Sequence, residues 1–162
     1  MPRFIGPESV EVHYVATVTP GAPTAAQLNA GVDLTPFITD GGADFPTSGK
    51  TVAADDLSSK FDSVIAGTRG GDMVSLTMHK DTVQANDTAY TTLPPATVGY
   101  FAVASRPLAT TGTWVANDEV DLYPIEVVTR NPANLAARGA TQQFTVESAV
   151  TAEPLIDYTI LT

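Results

Sequence analysis

Val98-Gly-Tyr-Phe-Ala-Val-Ala-Ser105 is apolar in both alternating phases. A half-buried strand would alternate, so this stretch reads as a central strand covered on both faces. Its neighbours alternate more cleanly. Residues 10–18 place Val10, Val12, Tyr14, Ala16 and Val18 in one phase and Glu11, His13 and Thr17 in the other, which predicts a strand with unlike faces and puts His13 at the surface. Residues 72–80 set Val74, Leu76 and Met78 against Ser75, Thr77 and His79, and residues 143–150 set Phe144, Val146 and Val150 against Gln143, Thr145 and Glu147. A last strand follows at 155–161. Residues 57–66 and 72–80 flank Gly67-Thr-Arg-Gly-Gly71, the pattern of a hairpin. In 118–129, Val120 and Leu122 hold one phase and Ile125 and Val127 the other, with Pro124 between them. That slip predicts a bulge or an edge position.

Two short helices interrupt the strands. Residues 24–30 have Thr24 or Pro23 near the start and Gly31 to end them, and residues 88–93 have Asn86 or Asp87 as cap and Pro94-Pro95 as stop. Residues 131–139 fit a helix and a loop equally, with Asn131 as cap, Pro132 at the first helical position and Gly139 at the end. Between 33 and 56 periodicity fades among Gly41-Gly42, Pro46, Gly49 and Asp55-Asp56, predicting a long, loosely structured excursion of the kind that tends to be functional. The expected fold is mainly β: a β-sandwich or partly closed barrel of about seven strands with one or two short helices. It forms a single domain over 1–162, with the long loop at about 36–56.

Composition narrows the function. With 162 residues and 43% hydrophobic content the chain can build its own core, and without cysteine it has no disulfide, zinc ribbon or thiol chemistry. Eighteen Asp and Glu oppose 8 Lys and Arg, a net charge of −10. Affinity for nucleic acid comes from cations that neutralise phosphates, so this balance argues against tight binding and leaves repulsion open. No stretch approaches the ~18 apolar residues of a membrane span. Met1-Pro-Arg-Phe-Ile-Gly-Pro-Glu8 lacks a signal peptide's apolar region. The expectation is a chain soluble where it is made, without a membrane partner.

Motifs for catalysis are weak. Ser48-Gly49-Lys50-Thr51 resembles the end of a phosphate-binding loop, but Asp44 stands where the first glycine belongs, and a carboxylate there repels phosphate. A polar turn is the plainer reading. His13 and His79 have no partner at metal-ligand spacing. Asp55-Asp56 and Asp118-Glu119 with Asp121 lack the glycine-turn spacing of a calcium loop, and read as solvated acidic loops. Gly-x-Ser-x-Gly is absent. No catalytic, cofactor or metal site is expected. A glycan-binding sandwich would need exposed aromatics, and Trp114 with Tyr123 or Tyr100 are the candidates in a chain of only 7% aromatics.

An ordered set of segments resembles the major tail proteins of long-tailed, non-contractile bacteriophages. It comprises Gly31-Val-Asp-Leu-Thr35 with Phe37 and Ile38, Asp55-Asp56-Leu57 leading to Phe61 and Gly67, residues 72–80, the helix before Leu93, and the strand from Gly99. Val120-Asp-Leu-Tyr-Pro-Ile-Glu-Val127, Gln143-Phe-Thr-Val146 and Thr151-Ala-Glu-Pro154 complete it. The resemblance spans nearly the whole chain and contains no catalytic signature. It implies a non-enzymatic virion protein, made and assembled in the host cytoplasm, whose copies close into six-membered rings that stack into the tail tube. Its partners are then itself, tape-measure and tail-end proteins, with DNA passing unbound. A tail-end or head decoration protein is the nearest structural alternative. Under this resemblance Asp62, Asp72, Glu126 and Glu147 are candidates for the lumen, and Asp44, Phe45, Pro46, Lys50, Asp55 and Asp56 for contacts between rings.

Overall fold

The computed structural model describes residues 10–54, 63–81, 83–104, 106–133, 139 and 141–161. Among the described residues, ten strands and two short helices follow in order. These are β1 (Glu11–Val15), α1 (Ala25–Asn29), β2 (Val32–Asp33), β3 (Ile38–Asp44), β4 (Thr47–Ala54), β5 (Ser63–Gly71), β6 (Val74–His79), α2 (Thr88–Thr92), β7 (Val98–Ala104), β8 (Glu119–Ala133), β9 (Gln143–Val150) and β10 (Leu155–Thr159). Eight strands form one antiparallel sheet in the order β2-β1-β7-β8-β9-β6-β3, with β10 beside the first part of β8. Its terminal strands, β2 and β3, are consecutive in the chain and joined by a single 3-10 turn, Thr35–Phe37. The sheet therefore curls back on itself without closing into a hydrogen-bonded barrel. Thr35 helps to seal the gap, its Oγ1 accepting from the Val12 N–H at 3.0 Å.

The curl explains two cores on opposite faces of one sheet. Val12, Tyr14, Phe101, Val103, Tyr123, Ile125, Val127, Phe144, Val146, Leu76 and Met78 share the inner core, which α2 covers with Ala89 and Leu93. Val15, Ala102, Ala104, Val120 and Leu122 face the other way, under Leu28 of α1, Trp114 and Ile160. The buried central strand expected around residue 98 is β7, with both faces in use. The phase change in β8 is not a slip. Val120 and Leu122 serve one core and Tyr123, Ile125 and Val127 the other, so the strand is central. Pro124 is tolerated because its second neighbour changes there from β10 to β9, and its carbonyl accepts from Thr151 N–H at 2.9 Å. The bulge lies further on, between Val127 and Thr129.

Both helices form where the caps predict them. Thr24 Oγ1 accepts from the Gln27 N–H while the Gln27 side chain returns to the Thr24 N–H, a reciprocal capping box. α1 ends at Asn29 with Ala30 as its cap, and Gly31 follows without a left-handed backbone; glycine stands there because a Cβ would lie 2.5 Å from the Tyr14 carbonyl oxygen. Residues 131–133 continue β8 rather than opening a helix.

Three further expectations are corrected. Within the excursion expected at 33–56, residues 33–54 are ordered as the end of β2, the 3-10 turn, β3 and β4, and residues 55–56 lie outside the described residues; the polarity marks strands at edges, not missing structure. Gly67 to Gly71 do not turn the chain: β5 runs through them and pairs with β4, from Thr47 opposite Gly71 to Ala54 opposite Ser63. A turn was read from glycines whose use at Gly71 is close packing, since a Cβ there would fall 2.7 Å from that of Val150. Glu11 and His13 are buried rather than exposed, because α1 and the segment around Trp114 cover that phase of β1.

Candidate assembly surfaces

The β3-β6-β9-β8 part of the sheet presents one open face. Registers place Asp44, Ser75, Glu147 and Thr129 in a row across its four strands, with Thr77, Thr145 and Asn131 in the next row. Thr77 Oγ1 lies 3.1 Å from Thr145 Oγ1, and Thr129 Oγ1 donates to Glu147 Oε2 at 3.0 Å. Glu126 projects from the same side, paired with Ala149 and Val98, and is exposed. Together with Glu126, these rows carry three carboxylates and no Lys or Arg, while the opposite face of the same strands is core. The sequence candidates Glu126 and Glu147 are thus brought onto one surface. Asp72 lies apart, exposed in the turn between β5 and β6, and Asp62 lies outside the described residues.

This face is bounded by free backbone edges. β7 pairs with β8 only as far as Glu126, with two further hydrogen bonds to Val127, so residues 128–133 have β9 on one side and no strand on the other among the described residues. Val98 and Val128 beside it are 64% and 47% exposed, large apolar groups left in water at an unfinished edge. β3 likewise pairs only with β6, and its ladder is broken between Ile38 and Ala43.

From the same end of the sheet the β4–β5 hairpin extends as a separate two-stranded arm. Eight residues of β4 correspond to about 26 Å at ~3.3 Å per residue. Of the proposed ring contacts, Lys50 is exposed on the arm, and Asp44 and Pro46 sit at its root. Phe45 turns inward, its ring 6.1 Å from Phe101 and 4.9 Å from Tyr123, and anchors the arm to the core. An aromatic followed by proline in a polar stretch was the signal for that role. Asp55 and Asp56 lie outside the described residues. Ser48 to Thr51 lie within β4, so no phosphate-binding turn forms.

Elsewhere, polar groups are spent on structure. His13 Nε2 sits 3.7 Å from both Glu11 Oε2 and Asp33 Oδ1, and its ring meets Trp114 edge-on at 5.6 Å. Glu11 also accepts from the Gly112 N–H at 2.8 Å, and Asn29 grips both the N–H and the carbonyl of Trp114 at 2.8 Å. Trp114 is 1% exposed. That removes it as a sugar platform, and Tyr123 is buried too. Asp118 is not a solvated loop carboxylate but a buried cap that accepts from Val115 and Ala109 N–H groups. Asp121 accepts from the Asp157 N–H at 2.7 Å. Burial pushes its pKa up, and the charges of Asp157 and Glu119 add to that rise, against the lowering effect of the hydrogen bond. Among the described residues no group of three His, Asp or Glu side chains could hold a metal ion, and no helix is long and apolar enough to cross a membrane.

Solved assemblies share this curled antiparallel fold. The chain is similar to a protein in the tail of an empty GTA particle, refined helically with C6 symmetry, at 10% identity and a TM-score of 0.58, covering 96% of this chain and 100% of that one. It is similar also to a chain in the six-fold symmetrised baseplate of the anti-feeding prophage, at 9% identity and a TM-score of 0.57, covering 96% and 97%. No curated protein sequence matches it. The chain belongs to the phage tail tube protein family, whose profile matches residues 2–162. It is a structural component of the virion tail.

Proposed function

We propose that six copies close into a ring through the free edges of the open face, and that rings stack through the β4–β5 arm into a tube that conducts DNA. The observation that carries this reading is the four-stranded face itself: polar and carboxylate-bearing on one side, core on the other, with an unpaired strand at each margin. An unpaired edge is a liability alone and a template beside a copy of itself. Contacts between unlike edges generate a ring when the rotation closes. The six-fold symmetry of the two similar assemblies supports six as the number of copies. With the open face turned inward, Glu126, Glu147 and Asp44 line the bore and no Lys or Arg in those rows meets the phosphates, so the genome slides without sticking. The role needs no catalysis, and tape-measure and tail-end proteins would contact the tube's bore and end. A long-tailed, non-contractile particle is the setting this reading favours.

Electron microscopy of concentrated protein, and of virions, tests it. Rings or tubes with a central channel are expected. A strictly monomeric protein absent from virion tails would overturn it. The lumen assignment has its own test: with Glu126→Lys and Glu147→Lys together, assembled tubes should retain short duplex DNA at low salt and release it as salt rises. Each new phosphate contact should steepen the salt slope by about one unit. Tubes of this double variant that retain no more DNA than wild type would place another face in the bore.

A further inference from the structure

Lys80 follows β6, Arg130 lies on β8, and both converge on one aromatic ring. The Tyr90 ring of α2 stands edge-on over Phe144 of β9 at 5.1 Å, which fixes it. Lys80 Nζ lies 4.4 Å from its centroid and the Arg130 guanidinium carbon 3.7 Å. Arg130 also donates an Nη1 hydrogen bond to the Tyr90 carbonyl. Two cations held against one ring repel each other, and the ring quadrupole offsets only part of that.

The chain has carboxylates in excess, yet neither cation has an ion pair among the described residues, whereas Arg106 meets Glu119 at 2.8 Å. The adjacent acid, Asp81, is turned into its own loop, its Oδ1 accepting from the Val83 N–H at 2.7 Å. Lys80 is exposed and Arg130 half-buried. One guanidinium N–H is used on Tyr90, which orients the rest of the fork and leaves donors for a carboxylate. Arg130 belongs to residues 128–133, the part of β8 whose edge is unpaired.

We propose that Lys80 and Arg130, stacked on Tyr90, form a docking site for a carboxylate of the adjacent subunit, a charge contact that sets the register of neighbouring copies. This rests on the ring-and-tube reading above. Charge complementarity favours a second copy as partner, since each copy brings 18 Asp and Glu. The site thus answers the surplus acid of its neighbours with a cation pair unmatched among the described residues of its own subunit.

Zero-length carbodiimide coupling of wild-type assemblies made from isotopically light and heavy protein, followed by peptide mass spectrometry, tests this. The expected product is an amide between Lys80 and an Asp or Glu of a different subunit. Lys80→Glu should keep the wild-type melting temperature and raise the concentration needed for assembly about tenfold, a change equivalent to ~1.4 kcal/mol. Lys80→Arg should assemble as wild type. If wild-type tubes form but Lys80 couples to no other subunit, or Lys80→Glu assembles at the wild-type concentration, the docking site is wrong and the tube reading stands. If Lys80→Glu unfolds, failure of Lys80→Gln to shift assembly decides against the site in the same way. If wild-type protein forms no tubes, both fall. Binding of a short DNA duplex to the wild-type protein that Lys80→Glu abolishes would overturn the carboxylate assignment in favour of phosphate.

Discussion

The two halves of β8 show how one strand serves two purposes. Its first half, from Glu119 to Tyr123, is flanked by β7 and β10 and covered on both faces, by Trp114, α1 and Ile160 on one side and the inner core on the other. Its second half is covered only on the core side. There it shows Glu126 and Val128 to water, has a free edge over residues 128–133, and belongs to the β3-β6-β9 region that bears the arm. Burial on two faces fixes the fold. Exposure on one face, with an unfinished edge, is what a neighbour can complete.

The largest effect is expected where the second half meets the core. Phe144 is 1% exposed beneath Tyr90. Phe144→Asp loses the ring and buries an unpaired charge, together about 6–10 kcal/mol, comparable to the whole stability of a domain. Loss of the cooperative denaturation transition is the expected result; a native-like transition would mean that this face is not core at all. Next comes the arm. A chain with residues 48–70 replaced by a short turn keeps Phe45 and the sheet, so its melting temperature should stay near wild type while tube growth stops at single rings. Deleting 41–53 is a poorer test, since it removes part of β3 and the Phe45 anchor. Long tubes from the 48–70 deletion, seen by microscopy, would assign stacking to another segment.

Within β8 itself the comparison can be made by truncation. Leu122, 2% exposed, should cost about 2–5 kcal/mol on change to Ala. Val128→Ala should cost within about 0.5 kcal/mol and instead weaken association. Equal losses from the two in chemical denaturation would erase the distinction between the halves.

Much of this was legible in the sequence, and the failures share a cause. Alternation located β6 and β9, apolar phases on both sides located β7, and caps located both helices, because those signals are local. Reading Glu11 and His13 as exposed failed because what covers them, the segment around Trp114, lies about 100 residues away. The same long-range cover hides Trp114 from sugars. Residues 33–56 looked irregular because edge strands and an arm need little apolar patterning to form, and Gly67 to Gly71 looked like a turn because composition does not reveal that Gly71 packs on Val150. Glu126 and Glu147 could be named as polar-phase residues, but only the register of β8 on β9 places them on one face. Lys80, Tyr90 and Arg130 carried no signal at all, being on three separate elements.

The smallest effect separates the halves by charge. Asp121, in the doubly covered half, has its pKa raised chiefly by burial, with Asp157 and Glu119 adding repulsion. A carboxyl whose pKa is higher folded than unfolded favours folding while protonated; that contribution is present below the unfolded value and lost as pH rises through the folded one. At neutral pH the ionised group therefore works against the fold. Asp121→Asn keeps an oxygen to accept the Asp157 N–H and carries no charge, so it should raise the melting temperature slightly at pH 7. The gain should shrink toward zero as pH falls below the ordinary carboxylate range. A gain at Asp121 that grew in acid would reverse the sign of the argument and point to the Asp157 hydrogen bond, rather than burial, as the dominant influence on that carboxyl.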